Sequence, residues 1–136
     1  MSGEDDIRLE LLFFSVGGVH FAVDSGQVAG IATYDGEQAD DLFWFHEEMG
    51  YDGNSVSYHS PNIVTIRTGG VSSYRVIIDS MEDIAEFSQN DIRLFPPLLE
   101  VFSLRRGMWG VLPRHGRMVL LVDFKRLIRE IRPDIN

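Results

Sequence analysis

The sequence predicts a mainly β fold with a short internal helix and a C-terminal helix, on three observations. Apolar, β-rich runs come in pairs, joined by short turn signals at Gly17-Gly18, at Gly69-Gly70 and at residues 114–117. Helical periodicity is confined to residues 40–50 and to the stretch after Asp123. The chain of 136 residues, 44% hydrophobic and 24% charged, has the size and composition of one packed domain spanning 1–136.

In chain order, "IRLELLFFSV" (7–16) and "VHFAVD" (19–24) flank Gly17-Gly18 and form an opening hairpin. Val28 and Ile31 lie in a short apolar strand punctuated by Gly26 and Gly30, followed by the polar loop "DGEQADD". "DDLFWFHEEMG" predicts the internal helix, with Asp40 or Asp41 as N-cap, Leu42, Phe45 and Met49 on one face, and Gly50 as the stop. Residues 51–62 are a loop. A second hairpin joins "IVTIRT" (63–68) to "SSYRVIID" (72–79) through Gly69-Gly70, so the two halves begin alike, each with a hairpin ending in Asp. Pro96-Pro97 forbids ladder pairing and marks a loop. "MWGVLP" (108–113) and "MVLLVD" (118–123) form the third hairpin. Asp123 then caps a final helix with Phe124, Leu127, Ile128 and Ile131 on one face and Lys125, Arg126, Arg129 and Arg132 on the other, stopped by Pro133.

Composition excludes several kinds of chemistry. The absence of cysteine removes disulfides, thiolate zinc sites, iron–sulfur clusters and thiol nucleophiles, and fits a reducing, cytoplasmic setting. The first residues are acidic where a signal peptide is basic, and no apolar run approaches the about 20 residues that cross a bilayer, so neither export nor membrane insertion is expected. Charge is uneven: residues 1–60 carry twelve Asp/Glu against one Lys/Arg, a net of −11, and residues 61–136 carry nine against eleven, a net of +2. So acidic a first half repels phosphate backbones, and no nucleic-acid partner is expected. The basic face of the last helix suits the negative end of the helix dipole.

Catalytic and metal motifs are sparse. Val23-Asp24-Ser25-Gly26 has the form of an aspartic-protease loop, in which a strand delivers one Asp into a tight turn. A single domain of that kind must dimerise so that two carboxylates share a proton, and it needs a later apolar-apolar-Gly strand to support the loop. Gln27 stands where a small residue follows the Gly, and the downstream apolar runs end in Asp79 and Asp123 instead. The protease through Asp24 is the remote alternative. His46-Glu47-Glu48 lacks a second His one helical turn on, and His20, His59 and His115 are scattered, so no metal, cofactor or catalytic set is expected. Phosphate loops, dinucleotide fingerprints and nucleophile elbows are missing as well. Phe43, Trp44 and Phe45 cannot all share one side of a helix, which leaves a helix buried between two layers or a partner-binding patch.

"YRVIIDSMEDIAEFSQNDIRLFPPLL" and "GMWGVLPRHGRMVLLVDFKRLI" carry a resemblance over residues 74–128. Ile77-Ile78-Asp79, Ile84, Ile92 with Pro96, Gly110-Val111 and Leu121-Val122-Asp123 follow in the order of the C-terminal portion of a CheW-like domain, the coupling module of bacterial chemotaxis. The opening "LLFFSVGGVHFAVDSGQVAGI" is similar to the first hairpin of that family. The resemblance implies two SH3-like β-barrel subdomains, here divided near residues 55–62 into a shortened first subdomain (1–58) and a second (59–136). It also implies a non-enzymatic scaffold whose partners are a chemoreceptor cytoplasmic tip and the regulatory domain of a CheA-like histidine kinase.

In that family the receptor helix lies in an apolar groove between the subdomains, a helix-in-groove mode. Carried over by position, Val28, Ile31, Val76, Ile78 and Val111 line the groove or belong to the core. The chain departs from the pattern between Ile31 and Leu42, where only "ATYDGEQADD" replaces a longer loop, strand and turn. Trp44 stands at a family Asp position, Gly30 where an acidic residue is frequent, and Arg75 in place of a small Gly, where it blocks a receptor or reads an acidic partner. The shortened first half reduces or rebuilds the kinase surface. Its apolar edges are covered by Trp44 and its neighbours or by a homodimer partner, and a self-associating or regulatory protein that has lost its partners is the alternative function.

Overall fold

The computed structural model describes residues 7–50, 56–70, 72–95 and 107–131. Among these residues, nine strands form two sheets. β1 (Arg8–Val16), β2 (Val19–Asp24), β7 (Met81–Ser88), β8 (Met108–Arg114) and β9 (Arg117–Val122) make a five-stranded sheet in the order β7-β1-β2-β9-β8. β3 (Val28–Thr33), β4 (Leu42–Trp44), β5 (Asn62–Ile66) and β6 (Tyr74–Ile78) make a four-stranded sheet in the order β3-β5-β6-β4. Among these residues the α-helices are α1 (Phe45–Glu48) and α2 (Phe124–Ile131). Each sheet takes strands from both sides of the expected division near residues 55–62.

The opening hairpin forms as predicted, because Gly17 and Gly18 adopt φ of 60° and 81° and so supply the left-handed turn that matches strand twist. β1 is apolar in both phases of its alternation. Leu11 and Phe13 join Ala22, Leu112, Val119 and Leu121 on one side of the sheet, with Phe87 and Ile92 packed against them. Leu12, Phe14 and Val16 face the other way with Phe21, Val23 and Val122, and there they meet Val64, Ile66, Tyr74, Val76 and Ile78 of the four-stranded sheet. Phe14, Phe21, Phe45 and Phe124 pack ring on ring at the centre of this larger cluster, with centroids 4.8 to 6.5 Å apart.

The smaller cluster is enclosed because the five-stranded sheet rolls until its outer strands meet. Arg93, just after β7, exchanges two backbone hydrogen bonds with Val111 of β8, both 2.8 Å. Arg114 of β8 donates to both oxygens of Asp83 on β7 at 3.0 and 2.7 Å, with its guanidinium 3.9 Å over the Phe13 ring. A Cβ on Gly110 would stand 2.9 Å from Ile92 and 3.2 Å from the Arg93 carbonyl, so closure needs glycine there.

Four differences from the sequence reading have physical causes. Leu42–Trp44 is a strand parallel to β6, and the internal helix is the single turn Phe45–Glu48, with Trp44 rather than Asp40 or Asp41 at its N-cap. Asp41 is drawn away by Arg75, to which it gives its backbone carbonyl (2.8 Å) and both carboxylate oxygens. Strand alternation also resolves the aromatic triplet: Phe43 and Phe45 face the large cluster, while Trp44 faces outward to Tyr34 and Tyr58. Residues 81–88, which carried no assigned element, form edge strand β7. The second hairpin is joined by residues 67–73, a longer connection than Gly69-Gly70 alone. The loop reading at Pro96-Pro97, the basic residues Arg129 and Arg132 and the stop at Pro133 lie outside the residues whose side chains are described.

Asp123 caps α2 as expected, accepting the N–H groups of Lys125 and Arg126 at 3.0 and 3.2 Å. Gln27 completes the cap: its Nε2 donates to Asp123 at 2.9 Å and its Oε1 accepts the Phe124 N–H at 2.9 Å.

Closure makes a testable contrast between two strand glycines. Gly110→Ala is expected to lower unfolding free energy by about 1–3 kcal/mol through overpacking, whereas Gly30→Ala, whose Cβ meets nothing within 4 Å, is neutral or stabilising. Urea denaturation of both variants checks this.

Candidate functional site

The seam between the sheets leaves an apolar opening. β3 is an outer strand of the four-stranded sheet and β7 an outer strand of the five-stranded one. Between them runs a groove of about 250 Å³ lined by Leu12, Ser25, Val28, Ala29, Gly30, Ile31 and Ile84. Leu12 forms its buried floor, and Ile84, paired with Leu12 across β1 and β7, stands on the same side of the sheet. Ile31 and Ile84 are 44% and 55% exposed, a large apolar area for two neighbouring side chains. β3 shifts register between Val28 and Gly30, and the bare backbone at Gly30 keeps the groove open.

Asp24, the residue of the protease-like motif, lies beside the groove but works as a cap. Its Oδ1 accepts the Gly26 N–H at 2.9 Å and closes the 3-10 turn Ser25–Gln27, while the Ser25 hydroxyl donates to Glu10 at 2.8 Å. The same turn carries Gln27, whose carbonyl accepts from Arg67 at 2.8 Å and whose side chain holds the start of α2. The strand ends at Asp24 because this turn joins the hairpin, β5 and α2.

The residues carried over by position fall into separate places. Val28 and Ile31 come together in the groove. Val76 and Ile78 are fully enclosed in the large cluster and are core rather than groove lining, because inward-facing positions of β6 meet β1 and β2. Val111 lies at the other edge of the five-stranded sheet, paired with Leu120 and Arg93. Arg75 and Trp44 belong to the outer side of the four-stranded sheet. Arg75 is therefore not beside the groove; Asp41 and Glu37 of its own chain hold it.

Leu12 is not singled out in the sequence, and Ile84 only as one of the residues that carry the family resemblance, not as a site residue. Leu12 is hidden in a run apolar in both phases. Ile84 sits in a mostly polar edge strand, where the alternation of Ala85 and Phe87 with Glu86 is the only signal.

On the outer side, the Arg75 guanidinium donates to Asp41 at 2.9 and 3.0 Å and to Glu37 at 3.1 Å. Hydrogen bonding to Arg75 holds the Asp41 carboxyl down at about 2, from 3.8, and Asp41 in turn raises Arg75. Burial pushes the Tyr58 phenol up to about 12. Its oxygen accepts the His46 N–H at 3.2 Å and lies 3.0 Å from His46 Nδ1. Among the described residues, no group of three or more His, Asp or Glu is arranged to hold a metal ion, and no helix is long and apolar enough to cross a membrane.

The sequence matches no protein-family model and no curated relative. The structure is similar to that of the scaffolding protein TtCheW from Thermoanaerobacter tengcongensis, with a TM-score of 0.67 at 12% identity over 90% of this chain and 88% of that one. The fold is therefore CheW-like: mainly β, with two packed sheets and, among the described residues, two helices.

The Asp41–Arg75 pair predicts a pH signature. A carboxyl depressed from 3.8 to about 2 contributes stability present in full above pH 4 and lost as pH falls towards 2. Carbon-detected NMR is expected to show the Asp41 carboxyl titrating near 2, and Arg75→Gln to return it towards 3.8.

Proposed function

We propose that this protein is a non-enzymatic adaptor of chemotaxis-type signalling, which receives the helical tip of a chemoreceptor in the β3–β7 groove and passes its state to a CheA-like histidine kinase. The observation that carries the reading is the groove itself, apolar and open between two sheet edges of a CheW-like fold. An amphipathic helix laid there covers Ile31 and Ile84 and desolvates Val28 and Leu12, which is how a helix-in-groove contact gains its free energy. Nothing in such a contact needs bond chemistry; complementarity is the work.

The same reading places the protein in the cytoplasm, where receptor tips and kinases of this class meet. The family resemblance supports a kinase contact on the first part of the chain, reduced by the short segment between Ile31 and Leu42. A division near residues 55–62 belongs to the same proposal as a boundary along the chain, with each subdomain sheet completed by strands from the other side of it. Self-association is the second reading, favoured by two outer strands at the groove whose edges a second copy can cover.

Calorimetry with a receptor tip and, separately, a kinase regulatory domain from the same cell tests the reading. Gly30→Leu places a side chain in the groove where nothing stands within 4 Å of a Cβ. It is expected to weaken receptor binding at least tenfold, about 1.4 kcal/mol, without lowering the thermal midpoint. Arg75→Gly is expected to leave receptor binding unchanged. A receptor tip that binds neither protein, together with a dimer that Gly30→Leu dissociates in sedimentation, gives the groove to a second copy.

A further inference from the structure

The outer side of the four-stranded sheet carries a second surface, at the edge opposite β3. There Tyr34, Leu42, Trp44 and Ile77 surround a recess of about 300 Å³, and Glu37 stands on its rim. Trp44 meets Tyr34 edge to face at 5.3 Å and Tyr58 at 4.8 Å, so its ring is fixed in orientation while remaining half-exposed. The stretch 34–41 that leads into β4 on this side contains four Asp/Glu and no Lys or Arg. Asp35, Glu37 and Asp40 are exposed along it. Arg75 sets one positive charge against this rim, held by Asp41 and Glu37, and leaves it negative.

We infer that this face docks a basic segment of a partner protein, with one Arg or Lys side chain seated in the recess over Trp44 and Tyr34 and its charge turned to Glu37. An aromatic floor attracts a cation through the ring quadrupole, and the apolar stem of the same side chain covers Leu42 and Ile77. The acidic rim supplies the complementary field that steers and orients such a partner. Other occupants fit poorly. A purely apolar segment would strip water from the rim carboxylates without pairing them. Phosphate-bearing partners and anionic lipid meet like charge. Two copies apposed through this face would set acid against acid. Because β3 and β4 are opposite edges of the sheet, this face and the β3–β7 groove can be occupied together.

Trp44 itself reports the test. In a Trp109→Phe background, which leaves Trp44 as the one tryptophan, the probe is a capped pentapeptide with three arginines. The control peptide carries citrulline, a neutral isostere, in their place. The expected result is a saturable change in Trp44 emission with the arginine peptide and none with citrulline, weakened several-fold by Glu37→Gln and unchanged by Glu86→Gln. Glu86→Gln removes the same charge from the five-stranded sheet. Equal response to citrulline, equal loss in the two glutamine variants, or no response at millimolar peptide overturns the proposal. So does salt-sensitive self-association in peptide-free buffer that Glu37→Gln dissolves, which assigns the face to the basic α2 of a second copy, where Lys125 and Arg126 are exposed. None of these outcomes depends on whether the groove binds a receptor.

Discussion

The structure depends on one constraint: strand β1 is apolar on both faces and sits second from the edge of its sheet. A strand of that kind has to be covered twice. Leu11 and Phe13 are covered when the five-stranded sheet rolls until β8 meets the chain after β7, and Leu12, Phe14 and Val16 when the four-stranded sheet and α2 pack on the other side. The two-layer architecture and the rolled sheet answer one burial problem. Its residue is the β3–β7 groove, where the outer strands of the two sheets lie side by side and Leu12 is reached from outside.

Polar side chains act where the chain passes between the layers. Gln27 ties the first hairpin to the start of α2. Asp79, 5% exposed, accepts the His59 and Ser60 N–H groups at 2.9 and 2.7 Å as the chain enters β5. Arg75 holds the acidic segment before β4 against β6. Among the described residues, no buried side-chain nitrogen or oxygen is left without a partner, so none incurs the cost of an unpaired group. A CheW-like architecture at 12% identity with TtCheW is intelligible on these terms: the pattern of burial and the crossover ties specify it, and many apolar sequences satisfy that pattern.

The two surfaces differ in the physics they offer a partner. The groove is apolar and opens on the inter-sheet core, so its contribution scales with the area it removes from water. The outer side of the four-stranded sheet combines fixed rings with unneutralised carboxylates, so it selects by charge and is sensitive to salt. The uneven charge of the sequence thus has a partial structural location: Glu37 and Asp41 lie with Arg75 on the outer side of the four-stranded sheet, where an apolar helix in the groove does not have to desolvate them.

The sequence by itself determined the elements whose signals are local. These are the Gly17-Gly18 turn, the Asp123 cap, the last hairpin, and the order of apolar and acidic positions that resembles a CheW-like domain. Tertiary structure alone decided whatever depends on a partner elsewhere in the chain. Leu42–Trp44 became a strand because β6 offered it hydrogen bonds and Arg75 took the carboxylate that would have capped a helix. Ile84 became half of a groove because β7 pairs with β1. Val76 and Ile78 proved to be core because the face of β6 that carries them meets β1 and β2. Short-range periodicity says whether a residue alternates; only long-range pairing says which of its two faces is covered.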